Sequence, residues 1–344
     1  VLALQLAAGA DALHFAASSG NIEGLRQLIV TEHRSVDSVD KNGSTPLMSA
    51  AGSGQVEAVE YLLSAGARLD LFDRYGDTAL HRAVKGQHVQ VVRLLLSAGA
   101  PADGHQENHL TPLVSTQCWP EYLPIIKLLL ENNADPNFRG QYDGPPLYQA
   151  AYWPDPQVIE LLLKHGADPT LRNSDCNALD ALCLCSTDSE ADDANRAMIA
   201  ERFLQLGLKF DEPGLEGETP LVVAANRGNR GIVSTFLDHG ADPNTRDTKG
   251  NSLLHNVASG DYLLSDVTAA LLVERGADIN ALNTSGATAL HVASYNGYEW
   301  VVKALLRFPA CDREAKNQGG HTALELARQK GFPAIVELLS APRS

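Results

Sequence analysis

Residues 217–244 read GETPLVVAANRGNRGIVSTFLDHGADPN, and their apolar positions come in two short bursts separated by glycine-bearing breaks. In the first burst Leu221, Ala224 and Ala225 lie three and four positions apart, the spacing of one helix face. Thr219 can cap that helix, and Pro220 suits its first position, where a missing N–H costs nothing. Ile232, Val233, Phe236 and Leu237 repeat the spacing for a second helix, with Gly228 and Gly240 as stops. Two helices this short cannot bury both of their faces against each other. The pattern therefore predicts a unit that needs neighbours, in which small Ala pairs let adjacent helices approach closely.

The same pattern returns along the chain. STPLMSAAGSGQVEAVEYLLSAGARLD starts at Ser44, DTALHRAVKGQHVQVVRLLLSAGA at Asp77 and ATALHVASYNGYEWVVKALLR at Ala287. A period of ~33 residues marks one two-helix unit stacked many times, and these stretches resemble the ankyrin repeat family. The resemblance implies an all-α solenoid of stacked helix-turn-helix units with β-hairpin-like turn fingers. We read one array over residues 1–344, with units near 1–40, 41–72, 73–105, 106–139, 140–172, 173–213, 214–246, 247–282, 283–315 and 316–344. Each is expected to hold two helices of about ten residues and almost no sheet. The first unit lacks the Asp-x-x-Gly turn and reads as an N-terminal cap. The last carries Glu325, Arg328 and Glu337 and reads as a polar C-terminal cap.

Three departures stand out. Units four and five place Trp119-Pro120 and Trp153-Pro154 where the family usually has Gly and a polar residue, so each Trp is expected to end its first helix. Pro124 and Pro156 then suit the first turn of the following helices, with Asp155 as a cap. Unit six has NALDALCLC in place of the Thr-Pro-Leu start, then an acidic stretch, 186–195, that reads as a solvated, mobile insertion before a helix over 198–206. This degenerate unit is expected to weaken contact with both neighbours. Unit eight lengthens its break at 261–265.

Charge and chemistry narrow the function. A net charge of −15 and a pI near 5.1, with no Lys/Arg run, argue against nucleic acid or anionic membrane as the main partner. No apolar run is long enough to span a bilayer, and no basic start leads into a signal-like core. A cytoplasmic location is expected, with the nucleus as the alternative. The start at Val1 rather than Met is what a piece of a longer protein would show. Asn42-Gly-Ser and Asn283-Thr-Ser match the glycosylation pattern but fall on turn fingers.

Five unevenly spaced cysteines suit a reducing compartment and read as small buried side chains. Cys183 and Cys185, two apart on a helix, would point in different directions, so zinc is not expected. Asp188, Glu190, Asp192 and Asp193 lack the glycine of a calcium loop, and Gly52-Ser53-Gly54 has no strand before it to make a phosphate cradle. No metal, cofactor or catalytic residue is assigned. His14, His81, His255 and His291 recur at one position per unit. They resemble the family's structural histidine, which hydrogen-bonds between units.

The resemblance implies a shallow groove lined by turn fingers and first helices, on a monomeric array, for another protein or an extended peptide. Carried over by position, the candidate partner-binding residues are Arg74, Tyr75 and Lys85, with Asp77 beside them, in unit three. Trp119, next to Cys118, follows in unit four, then Tyr142, Tyr152 and Trp153 in unit five. Asn226, Arg227, Tyr295 and Asn296 continue the set. The two Trp are either an aromatic hot spot or covers over their own helix ends. A scaffold or adaptor is the function expected. Two alternatives stand beside it: an enzyme or small-molecule binder using Cys118, Glu121, Asp143 or Asp155, and a regulatory module of a longer protein.

Overall fold

Thr45, Thr78, Thr219, Thr288 and Thr322 each accept the backbone N–H three residues on, which satisfies a donor that the start of a helix leaves unpaired. In the computed structural model, which describes residues 10–104, 110–138, 144–186, 189–260 and 262–342, these caps open α3 (Pro46–Gly52), α5 (Ala79–Lys85), α12 (Pro220–Asn226), α16 (Ala289–Asn296) and α18 (Ala323–Lys330). Each is a first helix, and a second helix follows within a few residues.

The chain divides into two compact units, 1–173 and 174–344. In the N-terminal one, the first helices are α1 (Ala10–Ser18), α3, α5 and α8 (Pro146–Tyr152). The second helices are α2 (Ile22–Arg26), α4 (Val56–Ser64), α6 (Val89–Ser97), α7 (Leu123–Glu131) and α9 (Pro156–Lys164). Helices α1, α3 and α5 pack in sequence as one row, and α2, α4, α6, α7 and α9 as another. In the C-terminal unit, α10 (Ala178–Leu184), α12, α14 (Leu253–Ser259), α16 and α18 form the first row. The second row is α11 (Glu190–Gln205), α13 (Arg230–Asp238), α15 (Ser265–Glu274), α17 (Glu299–Leu306) and α19 (Pro333–Ser340). Between the rows of each unit lie the Ala pairs and the leucines, isoleucines and phenylalanines of the repeat, buried nearly to the last atom. Among the described residues the fold is all-α, with no more sheet than isolated bridge residues such as Arg246 and Ser252 at a turn finger.

Polar side chains join one repeat to the next. His14, His81, His255 and His291 place Nε2 at 2.7 to 3.1 Å from the carbonyls of Ser44, Leu110, Ala287 and His321, each about thirty residues on. In the last three, Nδ1 accepts the N–H of Thr78, Ser252 or Thr288. That network puts the proton on Nε2, which donates to the carbonyl. At the other end of each repeat, Asn137, Asn244 and Asn280 accept the N–H of Asp168, Asp278 and Asp312. The same amides donate to the carbonyls of Gly166, Gly276 and Ala310. The asparagine that ends Ala-Asp-Pro-Asn, or Ala-Asp-Ile-Asn at 277–280, is thus a rung between neighbours.

Unit four corrects the expected first helix. Residues Val114–Thr116 form only a 3-10 turn. Thr116 and Ser115 return their hydroxyls to the carbonyls of Leu113 and Thr111, an alternative to helix continuation. Gln117 and Cys118 then take left-handed backbone angles, φ 49 and 54. Trp119 therefore does not end an α-helix. It is held extended before Pro120 and caps a second 3-10 turn, Pro120–Tyr122.

Unit six corrects the mobile insertion. Residues 190–195 are the first turns of α11, a helix of 16 residues capped by the Ser189 hydroxyl at the Asp192 N–H. Glu190, Asp192 and Asp193 sit where the helix dipole favours negative charge. Asp192 pairs with Arg196 at 2.8 Å. Arg196 is buried and donates to the carbonyls of Leu182 and Cys185 at the end of α10. Buried Asp193 accepts the Gly231 N–H at 2.7 Å, so the segment binds unit six to unit seven rather than loosening it. Thr187 and Asp188 lie outside the described residues.

Candidate functional site

The turn fingers are built by Asx side chains. Asp73 Oδ1 accepts the N–H of Tyr75 and of Asp77, and its backbone N–H meets the Asp77 carbonyl, which folds the finger and lifts Arg74 and Tyr75 to its tip. Asp40, Asp247 and Asn283 fold their fingers in the same way. Tyr75 is 59% exposed, with the Arg74 guanidinium 4.7 Å from its ring centroid and donating to its hydroxyl. The pair is an amphipathic platform.

Behind the platform sits an ionic cluster that the sequence pattern did not reveal. Arg82 on α5 pairs with Asp73 and, at 3.3 Å, with Asp77; Lys85 pairs with Asp77 at 2.5 Å. Burial works against the Asp73 charge, yet the Arg82 hydrogen bond and the two finger N–H groups outweigh it and hold its carboxyl below the usual range. Asp77 is buried. Lys85, a candidate groove cation, is thus committed to an internal partner.

The aromatic zone splits into two different environments. Trp153 follows α8 directly, is 54% exposed and meets Tyr152 edge to face at 5.3 Å. Trp119 is 37% exposed, whereas Cys118 beside it is fully buried and leaves the candidate surface. Tyr142 and Asp143 lie outside the described residues. Burial pushes the Cys118 thiol up to about 12, against a hydrogen bond from Thr116, so it stays protonated and inert as a nucleophile. Asp155 accepts the N–H groups of Gln157 and Val158 as the cap of α9. Glu121 lies in the 3-10 turn.

In the C-terminal unit, Asn226 accepts the Ser259 hydroxyl at 3.4 Å, and Arg227 donates to the Tyr262 hydroxyl at 3.0 Å. Tyr295 is 48% exposed, and Lys330 of the next repeat stands 4.0 Å over its ring. Asn296 ends α16 and is half-buried. Tyr262 and Lys330 join the candidate surface through contacts between repeats, each 35 residues apart in sequence, and only the period of the array could have foreseen them. Trp300, 66% exposed with Lys303 at 4.7 Å, lies instead on α17 in the second row.

The repeated histidines and the cysteines do not form a site. Burial lowers His81, His255 and His291 below the ordinary imidazole range, as their bridging role requires. Cys118, Cys176, Cys183 and Cys311 are buried, Cys185 is half-buried, and none of the five is joined in a disulfide. Of these only Cys183 lies inside a helix, and Cys185, read as two positions further along the same helix, lies just past its end. Among the described residues no group of three or more His, Cys, Asp and Glu side chains is placed to hold a metal ion, and no helix is long and apolar enough to cross a membrane.

Comparison with known proteins places this architecture. A family model for ankyrin repeats in three copies matches residues 13–108, 191–281 and 254–343, and a single ankyrin repeat matches 145–174. A palmitoyltransferase, AKR1, of Lachancea kluyveri is 38% identical over 93 residues, which is 27% of this chain and 13% of that protein. A putative ankyrin repeat protein, FPV031, of fowlpox virus is 34% identical over 105 residues, 30% of each. The E3 ubiquitin-protein ligase KEG of Arabidopsis thaliana is 25% identical over 314 residues, 89% of this chain but only 17% of the relative. The chain thus spans less than a third of the length of each of these relatives. The crystal structure of the human ASB11 ankyrin repeat domain matches 77% of this chain and 98% of its own, with 22% identity and a TM-score of 0.44. Ankyrin repeats in general are protein–protein interaction modules. With family matches over well more than half of its length, laid on capped helix pairs, Asx-turn fingers and histidine bridges, this chain belongs to the ankyrin repeat family.

Proposed function

We propose that this protein is a non-catalytic scaffold or adaptor that recognises a partner protein or extended peptide on the face shared by its turn fingers and first helices. The observation that carries the reading is the exposed aromatic rings beside the fingers and first helices of each unit, Tyr75 and Trp153 in the N-terminal one and Tyr295 in the C-terminal one. Each is steadied by a neighbouring side chain rather than buried. Pre-ordered aromatic anchors lose little rotamer freedom on binding and dominate interface energetics. Trp119 extends the zone in the N-terminal unit, and the backbone held by Pro120 and Pro154 limits how each chain segment leaves its Trp.

A partner selected from a library of folded protein fragments tests this reading by calorimetric titration. Trp153→Ala or Tyr295→Ala should weaken binding by ~2 kcal/mol or more, whereas Trp300→Ala on the second row should change it by less than ~0.5 kcal/mol. The opposite ranking would move the site to the second helices. Equal affinity in all three, with a lowered melting temperature for Trp153→Ala, would make that ring a structural cover.

The comparisons favour a second, compatible reading. Because the matched stretch is a small part of relatives that are themselves named as enzymes, this chain would be the recognition part of a longer protein. Sequencing the full transcript decides it; an open reading frame confined to these repeats would remove it.

A further inference from the structure

The first helices of the N-terminal unit end on one arrangement, and unit four inverts it. Six places after Thr45, Thr78 and Pro145 stand Ala51, Val84 and Ala151, each compact, apolar and without exposed surface, and Ala17 holds the same place in the first repeat. One place further on, Ser18, Gly52, Lys85 and Tyr152 are half-buried or exposed. Six places after Thr111 the chain instead has Gln117, and the structure exchanges the two roles. Gln117 is exposed, and Cys118 after it is fully buried.

The exchange has a physical cause in the Gln117 side chain. An α-helix carried on to residue 118 would drive that side chain into a place filled elsewhere by Ala or Val. It would overpack the contact between neighbouring helices and bury an amide away from water. The chain avoids this by turning Gln117 and Cys118 into the left-handed region, φ 49 and 54, at a cost that any residue with a Cβ meets there. Cys118, a small hydrophobe, enters the core in place of Gln117. Thr116 stitches the turn, since its buried hydroxyl accepts the Cys118 N–H at 3.1 Å and donates to the Leu113 carbonyl at 2.7 Å. The effect reaches the next residue. Trp153 keeps the helical bond, its N–H donating at 3.3 Å to the Gln149 carbonyl four residues back, whereas the Trp119 N–H donates at 3.2 Å to Thr116, three back. Two tryptophans at matched places in the sequence are therefore out of register.

We infer that Gln117 is the positioning residue of unit four: unable to take the core place of the repeat, it yields that place to Cys118 and sets Trp119 out of register with Trp153. The inference rests on the recognition reading above only in making Trp119 part of a binding surface; the register is a property of the chain alone. One substitution then restores the regular repeat. In Gln117→Ala the helix continues, Cys118 moves to the half-buried place that Tyr152 holds, and Trp119 takes the more exposed setting of Trp153. Gln117→Asn, polar and tolerant of left-handed backbone, keeps the wild-type turn.

Alkylation of the native chain with iodoacetamide, read cysteine by cysteine by mass spectrometry, is the test. Cys118 should react about ten-fold or more faster in Gln117→Ala than in wild type or in Gln117→Asn. Cys183, fully buried in α10, should stay unreactive in all three. In a Trp153→Phe/Trp300→Phe background, where Trp119 is the remaining tryptophan, Gln117→Ala should raise acrylamide quenching, because the ring goes from 37% exposure toward the 54% of Trp153. Circular dichroism checks that each variant is folded. Should Gln117→Ala fail that check, Gln117→Ser takes over, since Ser294 holds the same core place in unit nine. Equal protection of Cys118 in Gln117→Ala and wild type, or equal exposure of it in Gln117→Ala and Gln117→Asn, would overturn the inference. Titration with the selected partner keeps the two readings apart: unchanged affinity in both Trp119→Ala and Trp153→Ala would remove the recognition reading from this zone, with the register still decided by alkylation.

Discussion

The four bridging histidines show how one side-chain type serves a stack. Each imidazole reaches from a first helix to the next finger through Nε2, and in His81, His255 and His291 Nδ1 also accepts a backbone N–H. Only the neutral ring can do both. Burial favours that neutral form in His81, His255 and His291, so their folded pKa lies below the unfolded value near 6.5. Above that value both states are neutral and the bridges contribute fully. As pH falls through it, the unfolded chain takes up protons before the folded one, and stability is lost. Thermal melts should therefore show a melting temperature that drops from pH 7 toward pH 5, before carboxylates begin to titrate. Imidazole NMR titrations should place the three pKa values below 6.5. A flat or rising melting temperature across that window would rule out the bridges as the linkage.

At the scale of elements, most of the fold was legible because its determinants are local. Thr-Pro-Leu starts, glycine stops and the second-helix spacing lie within one repeat, and the structure places helices on them, though first helices run to seven or eight residues rather than ten. Unit four failed the reading through local competition, because hydroxyl back-bonding and two left-handed residues ended the helix after a turn. Unit six failed for a distant reason. Its acidic stretch looks solvated in isolation, yet Asp193 finds the Gly231 N–H 38 residues away and Arg196 finds the open carbonyls of α10. One signal was present: Ser189 three residues before Asp192, with Asp193, Arg196, Ile199 and Phe203 at helical spacing. The candidate site was legible as positions but not as states. Nothing in the sequence told that Lys85 is paired or that Lys330 covers Tyr295.

The same elements define a prediction. Fully buried Asn229 donates to the carbonyls of Cys183 and Cys185 at 3.2 and 2.9 Å, closing the end of α10 from the following repeat. Asn229→Ala should cost ~1 to 3 kcal/mol in urea unfolding, because the Cys183 carbonyl is left buried without that partner. Gly231→Ala should also destabilise, since an added Cβ would meet the Asp193 carbonyl oxygen at 2.6 Å. Exposed Asn226→Ala should stay within ~0.5 kcal/mol. Equal costs at 226 and 229 would mean that unit six is not held by this joint.

At the scale of the molecule, stacked repeats couple through nearest neighbours, so stability need not be shared along the whole chain. Two compact units divide at residue 173, and the three tryptophans report them separately, Trp119 and Trp153 from the first and Trp300 from the second. Trp300→Phe leaves fluorescence from the N-terminal unit alone, and Trp119→Phe/Trp153→Phe leaves it from the C-terminal unit alone. Into each background a core truncation can be placed: Leu62→Ala in the N-terminal unit or Phe236→Ala in the C-terminal one, both at sites with no exposed surface. Each should remove ~2 to 5 kcal/mol locally. Phe236→Ala should shift the denaturation midpoint seen by Trp300 and leave that seen by Trp119 and Trp153 in place, and Leu62→Ala should do the reverse. Such a result requires two transitions, and a single free energy of unfolding would then not describe the protein. If either truncation moves both midpoints together by the same amount, the chain unfolds as one cooperative array and the division at residue 173 has no energetic meaning.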